Sequence, residues 1–319
     1  QRIAEIIGIN QAARTTCIKP AGSTSCILGT ASGIHPHHAK RYFRRVQANR
    51  QENPVQHFKK FNKRAVEQSV WDPNGVTEVI TFLCEVPVGA KTKNQIDALK
   101  LLESVKLTQQ NWVRYGTNVN LCARSGMRHN VSNTIHVKEH EWDDVADFIY
   151  KNRKDFAGVS LLPYSGDKDY VQAPFCAVPY PNDILREYGP GSFFASGIIE
   201  GALMAFGGDL WAASDAVLGT GERLLEVNMV KRAWAQSAIK FAESHFDGDV
   251  RKMTYCLKDI YNLKLWEKLS KEYRDVNWTA MTEDGDNVEF TQEAVCSGGS
   301  CELPTEYVES LYSTLQEFK

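Results

Sequence analysis

Residues 130–163 read as strand, helix, strand, and that order limits the folds open to this chain. Within 130–137, Val131, Asn133, Ile135 and Val137 point one way and Ser132, Thr134 and His136 the other. That is the period of two of a strand with one buried face. Residues 139–150 place Trp142, Val145 and Ile149 at helical spacing, and 158–162 is a short apolar run stopped by Pro163. A strand that returns through a helix to a second strand predicts parallel pairing with a crossover helix, in a barrel or an open α/β sheet.

The flanking segments carry similar signals. Residues 2–13 have Ile3, Ile6 and Ile7 at helical spacing, interrupted by Gly8. Residues 15–18 form a β-rich run ended by Lys19-Pro20, since proline cannot donate to a ladder. The polar stretch 51–75 closes on the turn signal Trp71-Asp72-Pro73-Asn74-Gly75. A strand is predicted over 76–86, a helix over 94–115 with Asn94 as cap and Gly116 at its C-terminal stop, and a short strand over 118–122. From Phe175 the character changes. Pro179, Pro181, Gly189, Pro190 and Gly191 mark an excursion, and 223–245 and 256–273 have helical periods. Gly219-Thr220-Gly221 lacks the strand and third glycine of a nucleotide loop and reads as a turn. Three regions are therefore expected: an α/β part at 1–174, a mainly helical extension at 175–275, and a tail at 276–319.

The chain has 319 residues, of which 43% are apolar and 24% charged, with a net charge of −2. These values suit an ordinary soluble globular protein and give no reason to expect a nucleic acid or a membrane surface as partner. No apolar run reaches the roughly 18 residues of a membrane span. The start, Gln1-Arg2-Ile3-Ala4, is neither an initiator Met nor a signal peptide and reads as the middle of a helix. The expectation is the C-terminal part of a longer protein. Eight cysteines are scattered, with only Cys296 and Cys301 close together. That usage suits a reducing cytoplasm and mostly buried free thiols.

Three constellations carry chemistry. Pro20, Ala21, Gly22, Ser23, Thr24 and Ser25 follow the first β-rich run. Gly22 lets the backbone approach a ligand, and hydroxyls and N–H groups there can donate to an anion. The same residues also suit a plain turn or helix cap. His35, His37 and His38 invite a metal, but Pro36 breaks any helix that would align them, and loop histidines near a polar site are favoured. Nearby Lys40, Arg41, Arg44, Arg45 and Arg50 read as a solvated basic face, with one or two able to neutralise a phosphate chain. Cys296 and Cys301 flank Ser-Gly-Gly-Ser, so the thiols can meet with little strain. Thiol–disulfide exchange on an arm, half a zinc site and two incidental thiols are the readings open to them.

Taken together, Pro-Ala-Gly-Ser-Thr-Ser at 20–25, Leu28-Gly29, Gly33-Ile34-His35-Pro36 and Tyr42-Phe43-Arg44-Arg45-Val46 resemble the large-chain barrel of ribonucleotide reductases. The likeness is greatest to the adenosylcobalamin-dependent class II type, in its monomeric form acting on ribonucleoside triphosphates. The strings NVSNTIHV and GVSLLPYS resemble later barrel segments of the same family. The resemblance covers roughly 15–174 and the tail cysteines. It implies an α/β fold, the second half of a ten-stranded α/β barrel, with a helical extension and a flexible redox tail. It implies that Pro20 to Ser25 hold substrate phosphates, with His35 and Pro36 near the substrate. It also implies that Cys296 and Cys301 pass electrons from thioredoxin or a similar reductant to an active-site disulfide, with adenosylcobalamin as cofactor. One departure is that residues 302–319 follow the pair, which in the family lies nearer the terminus. A second is that Asn53-Pro54 is followed by Val55, so the Asn-Pro-Cys loop carrying the family's radical cysteine is not in this stretch. The chain alone is expected to be catalytically inactive. The alternatives are a dimeric diphosphate reductase of class II and a non-catalytic phosphate-binding module with a redox tail.

Overall fold

The computed structural model describes residues 2–124, 126–164, 168–219 and 228–282, with Ser23 and Cys26 as backbone only. The chain divides into two compact units, one of Gln1–Phe43 and Leu83–Lys264, the other of Arg44–Phe82 and Leu265–Lys319. The helices between 181 and 264 lie in the same unit as the α/β segment and have a buried apolar cluster of their own.

Six strands are present among the described residues: β1 (Arg41–Asn49), β2 (Val66–Gln68), β3 (Thr77–Glu85), β4 (Ile135–Val137), β5 (Leu161–Pro163) and β6 (Phe175–Ala177). They form a four-stranded sheet in the order β2-β3-β1-β6 and a two-stranded sheet of β4 and β5. The expected crossover is observed. β4 and β5 are parallel, with Ile135 opposite Leu161 and Val137 opposite Pro163, and the helix Trp142–Lys151 lies between them in sequence. The alternation holds too: Val131, Asn133, Ile135 and Val137 are all buried, and Ser132, Thr134 and His136 are not. Val131, Ile135 and Val137 join Leu102, Val105, Val113 and Val145 in one apolar core.

Other expectations are corrected. Residues 15–18 form no strand; one backbone bond, from Ser132 N–H to the Ile18 carbonyl (3.0 Å), holds them. Residues 118–122 contain a 3-10 turn, Val119–Leu121. The cap of the helix Ala98–Thr108 is Asp97, whose carboxylate accepts from Lys100 N–H, because Asn94 is inside a preceding 3-10 turn. A helix at Asn53–Asn62 was not expected. Pro54 takes its first turn, where a missing N–H costs nothing, and Val55 and Phe58 are buried. In the same unit Phe58 packs on Phe82 and Tyr273, and Asn62 exchanges two hydrogen bonds of 2.8 Å with the Arg274 backbone.

The helices Ala195–Ala205, Leu210–Val217, Met229–His245 and Val250–Glu272 supply a second core, with Ile199, Leu210, Met253 and Leu257 almost fully buried. Among the described residues no single helix is long and apolar enough to cross a membrane. Cys176 and Cys256 are buried thiols, while Cys17 is exposed and Cys84 and Cys122 are intermediate. Burial pushes the Cys256 thiol up to about 12, so it stays protonated and unreactive at neutral pH.

Candidate functional site

A cavity of about 220 Å³ opens within the first unit. Of the residues expected to hold substrate, Gly22, Ser25, His35 and Pro36 line it, as do His37 and His38. Pro20, Ala21 and Thr24 flank those positions along the chain without lining it. The Ser23 side chain, Cys296 and Cys301 lie outside the described residues.

The turn that carries Gly22 is braced from within. Thr24 N–H donates to the Ala21 carbonyl (3.2 Å), Ala21 N–H to Ser32 Oγ (3.0 Å) and Ser25 Oγ to the Gly22 carbonyl (2.7 Å). The Ser25 hydroxyl, expected from sequence to be available to an anion, therefore has its proton engaged in the turn. The helix it opens, Ser23–Ile27, is a short one of 5 residues. Gly33 is where the second loop closes on this turn. Its φ is +62°, and a Cβ there would stand 2.9 Å from the Lys19 carbonyl oxygen. Gly22 has φ +55° and open space around it. Gly33→Ala is therefore expected to lower stability by about 2 kcal/mol or more, from left-handed strain plus a backbone clash, and Gly22→Ala by less. Denaturant midpoints of the two variants check this; equal midpoints would remove the close approach at Gly33.

His35 ties the second loop to the strand side of the cavity. Its Nδ1 donates to the Ser32 carbonyl (3.1 Å) and its Nε2 accepts from Thr134 N–H (3.1 Å), which fixes one tautomer. His37 exchanges backbone bonds with Lys91 and Lys93 (2.9 and 2.8 Å), holding the histidine loop beside the 3-10 turn Lys93–Gln95. His38 packs against Tyr42 and Phe175 at 5.7 and 5.5 Å. Among the described residues no group of three His, Cys, Asp or Glu side chains converges as a metal would require.

Lys93, Lys138, His136 and Tyr164 also line the cavity and were not recognised as site residues from the sequence. Both lysine ammonium groups lie over one ring, Lys93 at 4.8 Å and Lys138 at 5.7 Å from the Tyr164 centroid. The nearby acids are engaged. Hydrogen bonds and attraction from Lys100 hold the Asp97 carboxyl below the usual range, and Glu141 accepts from Lys138 N–H (2.9 Å). Two cations and several imidazoles facing a partly enclosed space make an anion the favoured occupant. The one sequence signal for this was the alternation that turned Thr134 and His136 away from the core.

The basic cluster is used differently from the solvated face expected. Arg41 donates to the Val178 and Pro179 carbonyls (3.1 and 2.7 Å) and lies 4.1 Å from the Tyr180 ring centre. Arg45 is buried, and Arg50 donates to the Gly75 carbonyl (3.0 Å).

No family model matches the chain. A crystal structure of a B-12 dependent (class II) ribonucleotide reductase is similar at 22% identity, covering 57% of this chain and 23% of that one, with a TM-score of 0.43. An adenosylcobalamin-dependent ribonucleoside-triphosphate reductase of Levilactobacillus brevis is 26% identical over 174 residues, which is 54% of this chain and 21% of the relative. The chain thus spans about a fifth of that relative's length, and over the matched part it is similar to this reductase.

Proposed function

We propose that this chain is part of a ribonucleoside-triphosphate reductase of the adenosylcobalamin-dependent type, and that its cavity holds the substrate's phosphates. The observation that carries this reading is one cavity shared by Gly22, Ser25, His35, Lys93 and Lys138. The partial likeness to a triphosphate reductase supports it. In this reading Gly22 gives close backbone approach, the two lysines neutralise the phosphate chain, and His35 keeps the loop and strand in register. Tyr42, Phe175 and His38 form an aromatic wall that limits water on one side. Cys296 and Cys301, in the same reading, relay electrons from thioredoxin or a similar reductant.

Adenosylcobalamin would supply the radical that starts such a reduction. This cavity does not fit it: about 220 Å³ falls below the roughly 300–1,000 Å³ of sites that enclose even a drug-sized ligand, so its residues are not the ones that would hold a corrin. Among the described side chains no cysteine lines the cavity, and Asn53-Pro54 leads into a helix. Those two observations favour a second reading in which the chain binds phosphate esters without chemistry of its own. Equilibrium titration of the 319-residue chain with a ribonucleoside triphosphate and with the parent nucleoside tests both. Tighter binding of the triphosphate, weakened by salt, is expected; equal binding would overturn the phosphate assignment.

A further inference from the structure

His136 is placed by the alternation of β4. Ile135 and Val137 enter the core, and the imidazole between them faces the cavity. Its Nδ1 is buried and has no hydrogen-bond partner among the described residues. A buried polar atom left in that state costs about 1–3 kcal/mol and calls for an explanation. The ring is surrounded by charge and potential charge from every neighbouring segment. Lys93 comes from the 3-10 turn, His35 and His38 from the loop before β1, Lys138 and Glu141 from the segment after β4, and Tyr164 from the end of β5. Burial first, then Lys93, His35 and His38, hold the imidazole below the usual histidine range, partly opposed by the Pro163 backbone. These surroundings therefore keep His136 neutral at neutral pH.

A neutral ring whose unprotonated nitrogen faces a phosphate oxygen would set two acceptors against each other. A protonated ring would donate. An anion placed within about 4–6 Å also favours the imidazolium. We propose that His136 is the proton-accepting contact of this cavity: a phosphate ester enters, His136 takes one proton from solvent, and its ring donates to a phosphate oxygen. This rests on the phosphate reading above and adds a proton to it. No bond other than N–H forms, and the proton comes from water or buffer. Binding is then linked to proton uptake, and affinity rises as pH falls from above the bound-state pKa toward the lowered pKa of the empty site. The slope is at most about tenfold per pH unit for one proton.

Calorimetric titration of the 319-residue chain with a ribonucleoside triphosphate at pH 7.5, in two buffers of different ionisation enthalpy, reads the proton directly. Uptake of up to about one proton per site is expected. His136→Gln keeps a side chain able to hydrogen-bond and is expected to weaken binding about tenfold and to abolish the uptake. Triphosphate titrates itself, so the difference between wild type and variant is the decisive quantity. Should the variant fold poorly, the ring resonances of His136 in the wild-type chain, followed against pH with and without triphosphate, give the same answer; a higher bound-state pKa is expected. The same net proton exchange in wild type and His136→Gln overturns the role of His136 and leaves the phosphate site standing. No preference for triphosphate over nucleoside overturns both.

Discussion

Lys168→Met is expected to destabilise the chain by about 3–5 kcal/mol at pH 7.5, and by much less at pH 5. Lys168 Nζ lies 2.6 Å from Asp259 Oδ2, and the Tyr188 hydroxyl donates to the same oxygen at 2.8 Å. Lys258 Nζ donates to the Lys168 carbonyl at 2.7 Å, which fixes the backbone as well. The pair is secluded, with 17% of the lysine side chain and 3% of the aspartate exposed. Burial pushes the Asp259 carboxyl up to about 6, against the lowering pull of Lys168 and Tyr188. Asp259 is thus ionised at pH 7.5 and matched by the ammonium. Removing the lysine leaves a buried carboxylate without its cation. The sign with pH follows. The folded pKa lies above the unfolded 3.8, so the folded chain holds this proton more tightly, and this group's contribution falls as pH rises from about 3.8 to about 6. Without Lys168 the folded pKa rises further above 6, so the variant regains stability relative to wild type as pH falls from that raised pKa to about 6, and below about 6 the two change together. Asp259→Asn removes the charge and is expected to cost less than Lys168→Met at pH 7.5. Urea midpoints at the two pH values decide it; an equal loss at both would mean that the pair's charge is not what matters.

Lys93→Ala with Lys138→Ala is expected to weaken triphosphate binding about 100-fold at low salt. Hydrogen bonds to charged groups contribute about 1.5–3 kcal/mol each, and these ammonium groups share one cavity wall. The salt dependence of the remaining affinity should be shallower, because fewer ions are exchanged on binding. Lys151→Ala is the matched control. Its ammonium is 3.3 Å from Asp147 Oδ2, 73% of its side chain is exposed and neither residue lines the cavity, so no change in affinity is expected. Equal affinity in the double variant and the control would remove the lysines from the site.

The crossover β4, Trp142–Lys151, β5 was legible because its core side is strictly periodic, and burial follows that period residue by residue. Residues 15–18 misled because β-branched residues alone do not make a strand; pairing does, and they have one backbone bond to Ser132. The helix Asn53–Asn62 was hidden because two well-buried apolar side chains, Val55 and Phe58, are too few to show a period in so polar a stretch. For the site, the turn at Gly22 and the loop at His35 stand out locally. Lys93, His136, Lys138 and Tyr164 do not, because each is ordinary in its own segment. Their meeting depends on the bridge between His37 and Thr92 and on the register of β4 with β5, which no local spacing encodes.

Residue-resolved amide shifts of the 319-residue chain, recorded during titration with a ribonucleoside triphosphate, test the phosphate assignment most directly. Saturable shifts centred on Gly22, Ser25, Lys93, Thr134 and His136, absent with the unphosphorylated nucleoside, are expected. Shifts that leave these residues still while others move, or identical shifts with the nucleoside, would contradict it.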